Sequence, residues 1–322
     1  MRDKLALVLS GGFVKGVAHI SIAEEMYARG YVPDVFVGSS IGAVFAVLLG
    51  YYDDPKKVKE ISLGFIKDHV WPELLSFDVF SKAGLFESKQ VIRLIAKYAG
   101  LEGKTFKDLK KPAYITATDL NTGELIIFGQ GQGASSKGQA MTLSEALEAS
   151  ISFPVIFKPK KLRMNGKTMA LADGGIRENC PISVAAKIPG VKKIIACDLG
   201  YCGQLKGDFN KKNTLEVFMQ CLELTTSFSQ INRYINDDVF IRNKIAVRII
   251  NPGIFDAGPF EFKKIPSMIA ASAKTARYVF SRFGSPDDFF KRWKKNPFKG
   301  RVKASHLGSS RANSYELINP PQ

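Results

Sequence analysis

The chain has 322 residues, 45% of them hydrophobic and 24% charged, which is typical of a globular protein with one large domain or two. No stretch free of charges reaches the length that spans a membrane, and the apolar run Leu5–Leu9 is too short for the core of a signal peptide. We therefore expect a cytoplasmic protein that is soluble or peripheral at a membrane.

The formal net charge of +16 predicts an anionic partner: a membrane surface, nucleic acid or an acidic substrate. Nucleic acid is not expected, because no base-reading motif is present. The four cysteines lack C-x-x-C spacing and a neighbouring histidine, and no acidic cluster has calcium-loop spacing (Cys180, Cys197, Cys202, Cys221). We expect buried thiols in a reducing compartment, no metal and no cofactor.

The chain begins with two predicted strand–loop–helix units, which favour an α/β fold with a parallel sheet. Leu5–Leu9 reads as a buried strand, a glycine-rich loop follows, and Val17–Arg29 has helical spacing. Val35–Val37 is the second predicted strand, and the apolar run Ile41–Tyr52 is of helical length.

A G-x-S-x-G motif, Gly38–Gly42, lies between the second strand and its helix. In this motif the central residue, Ser40, occupies a strained turn that exposes its hydroxyl, and the glycines avoid collisions with neighbouring backbone. The positive end of the following helix would favour an oxyanion or alkoxide at Ser40. The alternative is a small-residue turn that serves packing alone.

The glycine loop Ser10–Gly16 has neither the spacing of a dinucleotide-binding loop nor the Gly-Lys-Ser/Thr ending of a P-loop. Backbone N–H groups at Gly11, Gly12 and Phe13 would suit an oxyanion hole for a carbonyl attacked by Ser40. The alternative is ordinary turn chemistry.

The middle of the chain alternates between predicted helices, strands and loops. Residues 53–103 are helical and rich in aromatic residues, and Gly129–Gly138 reads as a surface loop. A capping box at Thr142–Glu145 opens a helix to about Ala149, and Pro154 prevents its continuation. Further strands are predicted at 114–120, 124–128, 191–199 and 247–252, and further helices at 214–235 and from 265 to about 280.

A hairpin is predicted from Lys160–Met164, an Asn165-Gly166 turn of type I′, and Lys167–Ala172. The hairpin delivers Asp173, followed by Gly174 and Gly175, at the end of an apolar strand, where a sheet presents catalytic side chains. A structural turn aspartate is the alternative.

The chain changes character after Gly284, where we place the boundary between a folded domain, residues 1–284, and a basic, flexible C-terminal tail, residues 285–322. Within this tail the segment Lys291–Lys303 is basic and carries Trp293 and Phe298, which suit a membrane interface.

Four motifs occur in a defined order: G-G-x-x-K-G at Gly11–Gly16, G-x-S-x-G at Gly38–Gly42, A-S-x-x-x-P at Ala149–Pro154 and D-G-G at Asp173–Gly175. Each motif is weak alone, but the combination is specific. Together they resemble the patatin-like phospholipase family, bacterial branch, over roughly residues 4 to 283.

The resemblance implies a three-layer α/β/α fold with a mostly parallel central sheet, and a Ser-Asp dyad that hydrolyses acyl esters of lipids. By position, Ser40 would be the nucleophile and Asp173 its partner. The implied oxyanion hole and motif support comprise Gly11, Gly12, Phe13, Lys15, Gly16, Gly38, Gly42, Gly174 and Gly175. Two residues depart from the family pattern, since Phe13 replaces a third glycine and Ser152 replaces a common alanine.

The chain has three histidines, His19, His69 and His306, and none stands in a triad-like arrangement with an acidic residue. This favours a dyad independently of the resemblance. A carboxylate is a poorer base than imidazole for a serine proton, so Asp173 needs burial to raise its pKa.

Three functions remain open. The first is a serine acyl hydrolase for phospholipids or other lipid esters, and the second is an acyltransferase that uses the same acyl-enzyme. The third is a catalytically silent, basic membrane-binding protein. For the enzyme, the basic residues of the hairpin and the tail would dock the chain on anionic membranes so that lipid can enter the site (Lys158, Lys160, Lys161, Arg163, Lys167). The alternative is a solvated tail that only aids solubility.

Overall fold

The computed structural model describes residues 2–68, 88–130, 141–154, 156–164, 166–200, 209–212, 216–218, 220–226, 245–254, 258, 261–282, 286–291 and 315–318. Several predictions concern residues outside these ranges: the aromatic region around Trp71, most of the Gly129–Gly138 loop and the turn residue Asn165. The two histidines His69 and His306 and most of the basic tail also lie outside them.

The nine described strands form one sheet. They are β1 (Lys4–Leu9), β2 (Val35–Ser39), β3 (Ala113–Asp119), β4 (Leu125–Phe128), β5 (Lys160–Met164), β6 (Lys167–Asp173), β7 (Val191–Cys197), β8 (Ala246–Ile250) and β9 (Tyr315–Ile318). Their order is β5-β6-β3-β2-β1-β7-β8-β9, with β4 paired to β3. The pairs within β3-β2-β1-β7-β8-β9 are parallel, whereas β4, β5 and β6 pair antiparallel. The predicted mostly parallel α/β sheet is confirmed.

Helices cover both faces of this sheet and give three layers. They are α1 (Ala18–Ala28), α2 (Ile41–Tyr52), α3 (Pro55–Lys67), α4 (Ser88–Tyr98), α5 (Leu143–Ser150), α6 (Gly175–Glu178), α7 (Ile182–Ala186), α8 (Ile265–Ser281) and α9 (Pro286–Lys291). A 3₁₀-helix, Phe13–Val17, precedes α1. None of the described helices has the length and apolar character to cross a membrane.

The strand β1 shows how the sequence produces two cores. Leu7 and Leu9 join the larger apolar cluster, whereas Ala6 and Val8 join the smaller one together with Ile182 of α7. Successive side chains of a strand point to opposite faces, and here both faces are buried. The strand therefore reads in the sequence as a continuous apolar run.

Two segments beyond the predicted domain boundary belong to the folded structure. In α9, Phe289 is fully buried, and its carbonyl accepts a hydrogen bond of 2.9 Å from the Arg248 guanidinium of β8. Strand β9 pairs with β8 at the edge of the sheet. The folded part of the chain thus continues past residue 284, while residues 292–314 lie outside the described ranges.

The prediction of buried thiols is confirmed for Cys180 and Cys197 and is wrong for Cys221, which is exposed. Cys221 lies in a helical segment, and Leu224 in the same segment is exposed as well, at 43%. Cys202 lies outside the described residues.

Candidate active site

The strand register brings Ser40 and Asp173 to the same edge of the sheet. Ser40 directly follows β2, whose last residue, Ser39, pairs with Thr116 of β3. The next residue of β3, Ala117, pairs with Asp173, the last residue of β6. The two predicted dyad residues therefore lie at the same level of the sheet, at the ends of the two strands that flank β3.

Ser40 occupies the turn predicted from the G-x-S-x-G motif. Its φ of 54° and ψ of −129° are rare for a residue with a side chain. A Cβ on Gly38 would lie 2.2 Å from the Gly42 carbonyl oxygen, and one on Gly42 would lie 2.2 Å from the Leu9 carbonyl oxygen. Both positions therefore require glycine. Ser40 is also the N-cap of α2, at the positive end of that helix.

Asp173 is 1% exposed and has one unsatisfied carboxylate oxygen. Its Oδ1 accepts the Gly175 N–H at 2.7 Å, whereas Oδ2 has no hydrogen-bond partner among the described residues. Burial raises the pKa of Asp173 to about 7, although the Ser40 hydroxyl and the Gly175 N–H both favour the carboxylate. A pKa near neutrality is the value that a general base for Ser40 requires.

The A-S-x-x-x-P segment supports both dyad residues, a role that the sequence did not assign. The Ser40 N–H donates to the Ser150 hydroxyl at 3.1 Å, and the Asp173 N–H donates to the Ser152 carbonyl at 2.9 Å. Ser150 sits at the end of α5, whose capping box at Thr142 forms as predicted. Ser150 is the second residue of the A-S-x-x-x-P motif, but the motif does not indicate that its hydroxyl accepts a hydrogen bond from the Ser40 amide.

The glycine loop approaches Ser40 closely, yet its first amide is already used. The Gly11 N–H donates to the Asn179 carbonyl at 3.0 Å, and Asn179 Nδ2 donates back to the Gly11 carbonyl at 3.4 Å. Gly11 therefore does not offer its amide to an oxyanion in this conformation, contrary to expectation. A Cβ there would lie 2.5 Å from Asn179 Oδ1 and 3.0 Å from Ser40 Cβ, so a side chain at this position would crowd the nucleophile. The Gly12 N–H donates to no described residue.

Phe13 has a backbone conformation that favours glycine. Its φ is 51°, in the left-handed region that glycine adopts readily and a residue with Cβ rarely does. The ring packs edge-on against Phe153 of the A-S-x-x-x-P segment, with centroids 5.0 Å apart. The side chain thus gains a contact that a glycine would lack.

The remaining residues of the glycine motif fix the loop to its surroundings. Lys15 is 5% exposed, donates to the Leu199 carbonyl at 3.1 Å and pairs with Glu223 at 3.5 Å. A Cβ on Gly16 would lie 2.4 Å from Ile41 Cγ1, so this glycine lets the loop pack against the residue after Ser40. These contacts position the loop rather than perform chemistry.

His19 is fully buried and does not reach the dyad. Its Nε2 donates to the Ser10 carbonyl at 2.9 Å, and its Nδ1 has no hydrogen-bond partner among the described residues. Burial lowers the pKa of His19 to about 4, so the ring is neutral near pH 7. Across the described ranges, no group of three or more His, Cys, Asp or Glu side chains is arranged to hold a metal ion.

An apolar groove lies next to Ile41, the residue that follows Ser40. Phe13 of the glycine loop and Ile41, which follows Ser40, line its near end. It continues between α2, α3 and α4, and its lining is apolar except for Ser62 and Tyr98. Such a groove suits a hydrocarbon chain attached to a group at Ser40.

The chain is similar to known proteins in sequence and in fold. The chain matches the family model "Patatin-like phospholipase" over residues 7–186, which contains Ser40, Asp173 and the four motifs. It is 25% identical over 223 residues to the uncharacterized protein YqhO of Bacillus subtilis, covering 66% of this chain and 76% of that protein.

Two further matches are more distant. The chain is 26% identical over 200 residues to human patatin-like phospholipase domain-containing protein 6, covering 62% of this chain but only 13% of that protein. The fold is similar to VipD from Legionella pneumophila, with a TM-score of 0.47 and 15% identity over 88% of this chain and 67% of that one. On the family match, which spans more than half of its residues, the chain belongs to the patatin-like phospholipase family, a family of lipid ester hydrolases.

Proposed function

We propose that the protein hydrolyses acyl esters of phospholipids or related lipids through a Ser40–Asp173 dyad and an acyl-enzyme. The observation that carries the proposal is the pairing of a strained serine with a buried carboxyl. Ser40 has a φ of 54° at the N-terminus of α2, and Asp173 Oδ2 is buried without a hydrogen-bond partner among the described residues. The shift of the Asp173 pKa to about 7 fits a base that works near neutral pH.

In the first half of the reaction, Ser40 Oγ attacks the ester carbonyl carbon and its proton passes to Asp173. The carbonyl oxygen becomes an oxyanion, which the Gly12 N–H and the positive end of α2 stabilise. The carbon–oxygen bond to the leaving group then breaks, and Asp173 returns the proton to the departing alkoxide. The products are an alcohol and Ser40 esterified by the acyl group.

In the second half, water attacks the acyl-enzyme and loses its proton to Asp173. The second oxyanion collapses, the bond to Ser40 Oγ breaks, and the proton returns to Ser40. The fatty acid leaves and the enzyme is regenerated. One carboxyl thus serves as base and acid in alternation, so its pKa must lie near the working pH.

The apolar groove supports a lipid substrate. A chain attached to the carbonyl at Ser40 meets Phe13 and Ile41 first and then Val44 and Leu48 along α2. Burial of each methylene is worth about 0.8 kcal/mol, so a long acyl chain gains far more from the groove than a short one.

The hairpin formed by β5 and β6 supports docking at an anionic membrane surface, with the protein otherwise cytoplasmic. Four bases on it or beside it are exposed: Lys158, Lys161, Arg163 and Lys167. Lys160 differs, because it forms an ion pair with Glu148 of α5. Each exposed base near an anionic leaflet contributes about 1 kcal/mol, and the contribution falls with ionic strength.

Fluorophosphonate labelling and ester hydrolysis test the nucleophile with a matched control in the same serine pair. Ser40→Ala should abolish labelling and lower turnover of p-nitrophenyl esters and phospholipid vesicles at least about 10³-fold. Ser39→Ala should label and turn over like the wild type, because the buried Ser39 hydroxyl has no hydrogen-bond partner among the described residues. Substantial labelling of the folded Ser40→Ala protein would refute the assignment.

A further inference from the structure

The apolar groove follows α2 away from Ser40. Ile41, Val44, Phe45 and Leu48 line it and lie on one face of that helix. At a rise of 1.5 Å per residue, the step from Ile41 to Leu48 corresponds to about 10 Å of groove. An acyl chain bound at Ser40 would therefore extend toward the C-terminal end of α2.

The C-terminal end of α4 closes the groove at that far end. The Tyr52 hydroxyl, on the last residue of α2, donates to the Ala99 carbonyl at 2.7 Å. This bond fixes the neighbouring Tyr98 beside the end of α2. Tyr98 lines the groove and is also 40% exposed, so it lies between the groove and solvent.

Tyr98 crosses from α4 to α3 over a glycine. Its hydroxyl donates to Asp68 Oδ2 at 3.0 Å, and its ring contacts Phe65 edge-on with centroids 5.6 Å apart. A Cβ on Gly64 would lie 2.3 Å from the Tyr98 hydroxyl oxygen, so the absence of a side chain at Gly64 lets the ring lie on α3. The ring of Tyr98 belongs to α4 and packs on α3, and these contacts hold it in place as the end wall of the groove.

We propose that Tyr98 sets the length of acyl chain that the enzyme prefers. The proposal rests on the hydrolase function and adds its specificity. A chain that ends before Tyr98 is buried without moving the ring, whereas a longer chain must displace the ring and break its bond to Asp68. Removal of the ring opens the end of the groove and lets long chains pass along the surface between α3 and α4.

The test compares p-nitrophenyl butanoate, octanoate and palmitate in wild type and Tyr98→Ala. The ratio of kcat/KM for palmitate to that for butanoate should rise at least about tenfold, since a few buried methylenes change an equilibrium constant by that factor. The change should come mainly from palmitate, because a butanoyl chain at Ser40 ends well before Tyr98. Leu94→Ala, one turn earlier on α4 and 38% exposed, is the matched control and should leave the ratio unchanged. Tyr98→Phe keeps the ring and should retain most of the selectivity.

A second variant opposes the first and covers a failure of Tyr98→Ala to fold. Ser62→Phe fills the groove from α3 and should lower the palmitate to butanoate ratio. Binding of decanoate and palmitate to Ser40→Ala, with and without Tyr98→Ala, reports the groove without turnover. A palmitate preference that Tyr98→Ala leaves unchanged in both assays would overturn the proposal. Absence of ester turnover by the wild type, with a binding preference that still shifts, would refute the hydrolase function instead.

Discussion

The catalytic edge of the sheet and the apolar groove beside it differ in how much change they tolerate. At the edge, a Cβ added to Gly38 or to Gly42 would lie 2.2 Å from a backbone oxygen, and one added to Gly174 would lie 2.4 Å from the buried Thr116 hydroxyl oxygen. In the groove, the walls are apolar side chains and a half-exposed tyrosine. The reaction geometry is therefore fixed by backbone, which cannot yield, while chain selection depends on side chains that can repack.

The largest effect is expected from Asp173→Asn, which keeps the shape of the side chain and removes the proposed base. Turnover should fall about 10⁴-fold, the loss that follows neutralisation of the catalytic aspartate in a serine hydrolase, and the residual rate would come from the oxyanion hole and binding. Wild-type kcat/KM should rise as pH passes about 7, because the base must be ionised. His19→Gln should retain this limb of the pH profile, since burial lowers the pKa of His19 to about 4.

Asp173→Asn should also be more stable than the wild type at high pH. Because the native pKa of Asp173 is raised from 3.8 to about 7, its contribution to stability is present below pH 3.8 and lost as pH rises to about 7. That difference corresponds to about 4 kcal/mol at 1.36 kcal/mol per pH unit. Asp173→Asn should therefore unfold at higher denaturant than wild type at pH 8, and at the same concentration near pH 4. If Asp173→Asn were less stable than the wild type at pH 8, the conclusion that burial raises the pKa of Asp173 would be wrong.

Gly42→Ala tests the rigid edge directly. Its Cβ would lie 2.2 Å from the Leu9 carbonyl oxygen, within backbone that the sheet holds in place. We expect a loss of about 3 kcal/mol or more in the free energy of unfolding. Gly258→Ala is the control, because its nearest neighbour would be a Glu261 side-chain atom at 3.5 Å, and its cost should stay within about 0.5 kcal/mol. Similar urea midpoints for the two variants would mean that the edge can yield.

Ser150→Ala should reduce turnover about tenfold while the protein stays folded. It removes the acceptor of the Ser40 N–H and leaves that amide without a partner, a loss of about 1–2 kcal/mol in positioning. Ser152→Ala, two residues away, is the matched control, because its hydroxyl contacts Glu148 and Ser88 and not Ser40. The kcat of Ser150→Ala should be lower than that of Ser152→Ala. Equal kcat values would show that the Ser150 hydroxyl does not position Ser40.

The sequence was sufficient for the parts of the site that local chemistry specifies. Gly38, Ser40 and Gly42 form one turn, and the hairpin that ends at Asp173 is a local structure. The use of the Gly11 amide by Asn179 was not predictable, because the partners are 168 residues apart. No local pattern records such a long-range contact.

The fold shows the same division between local and distant information. The buried strands were predicted from continuous apolar runs. The extension of the domain past residue 284 was not, because Arg248 in β8 reads as a surface residue until Phe289 covers its guanidinium. A charged residue in a strand and an aromatic pair in a basic region each favour exposure when read alone.

Phe13 lies where the rigid edge and the groove meet, and its substitution should produce the smallest effect. Phe13→Ala keeps the unfavourable φ of 51° and loses the contact with Phe153. Phe13→Gly loses the same contact but removes the backbone strain, which is worth about 1 kcal/mol. The glycine variant should therefore be more stable than the alanine variant by about that amount in urea unfolding, reversing the usual order of the two residues. Alanine equal to or more stable than glycine would show that position 13 does not hold the left-handed conformation, and that the loop yields as the groove does.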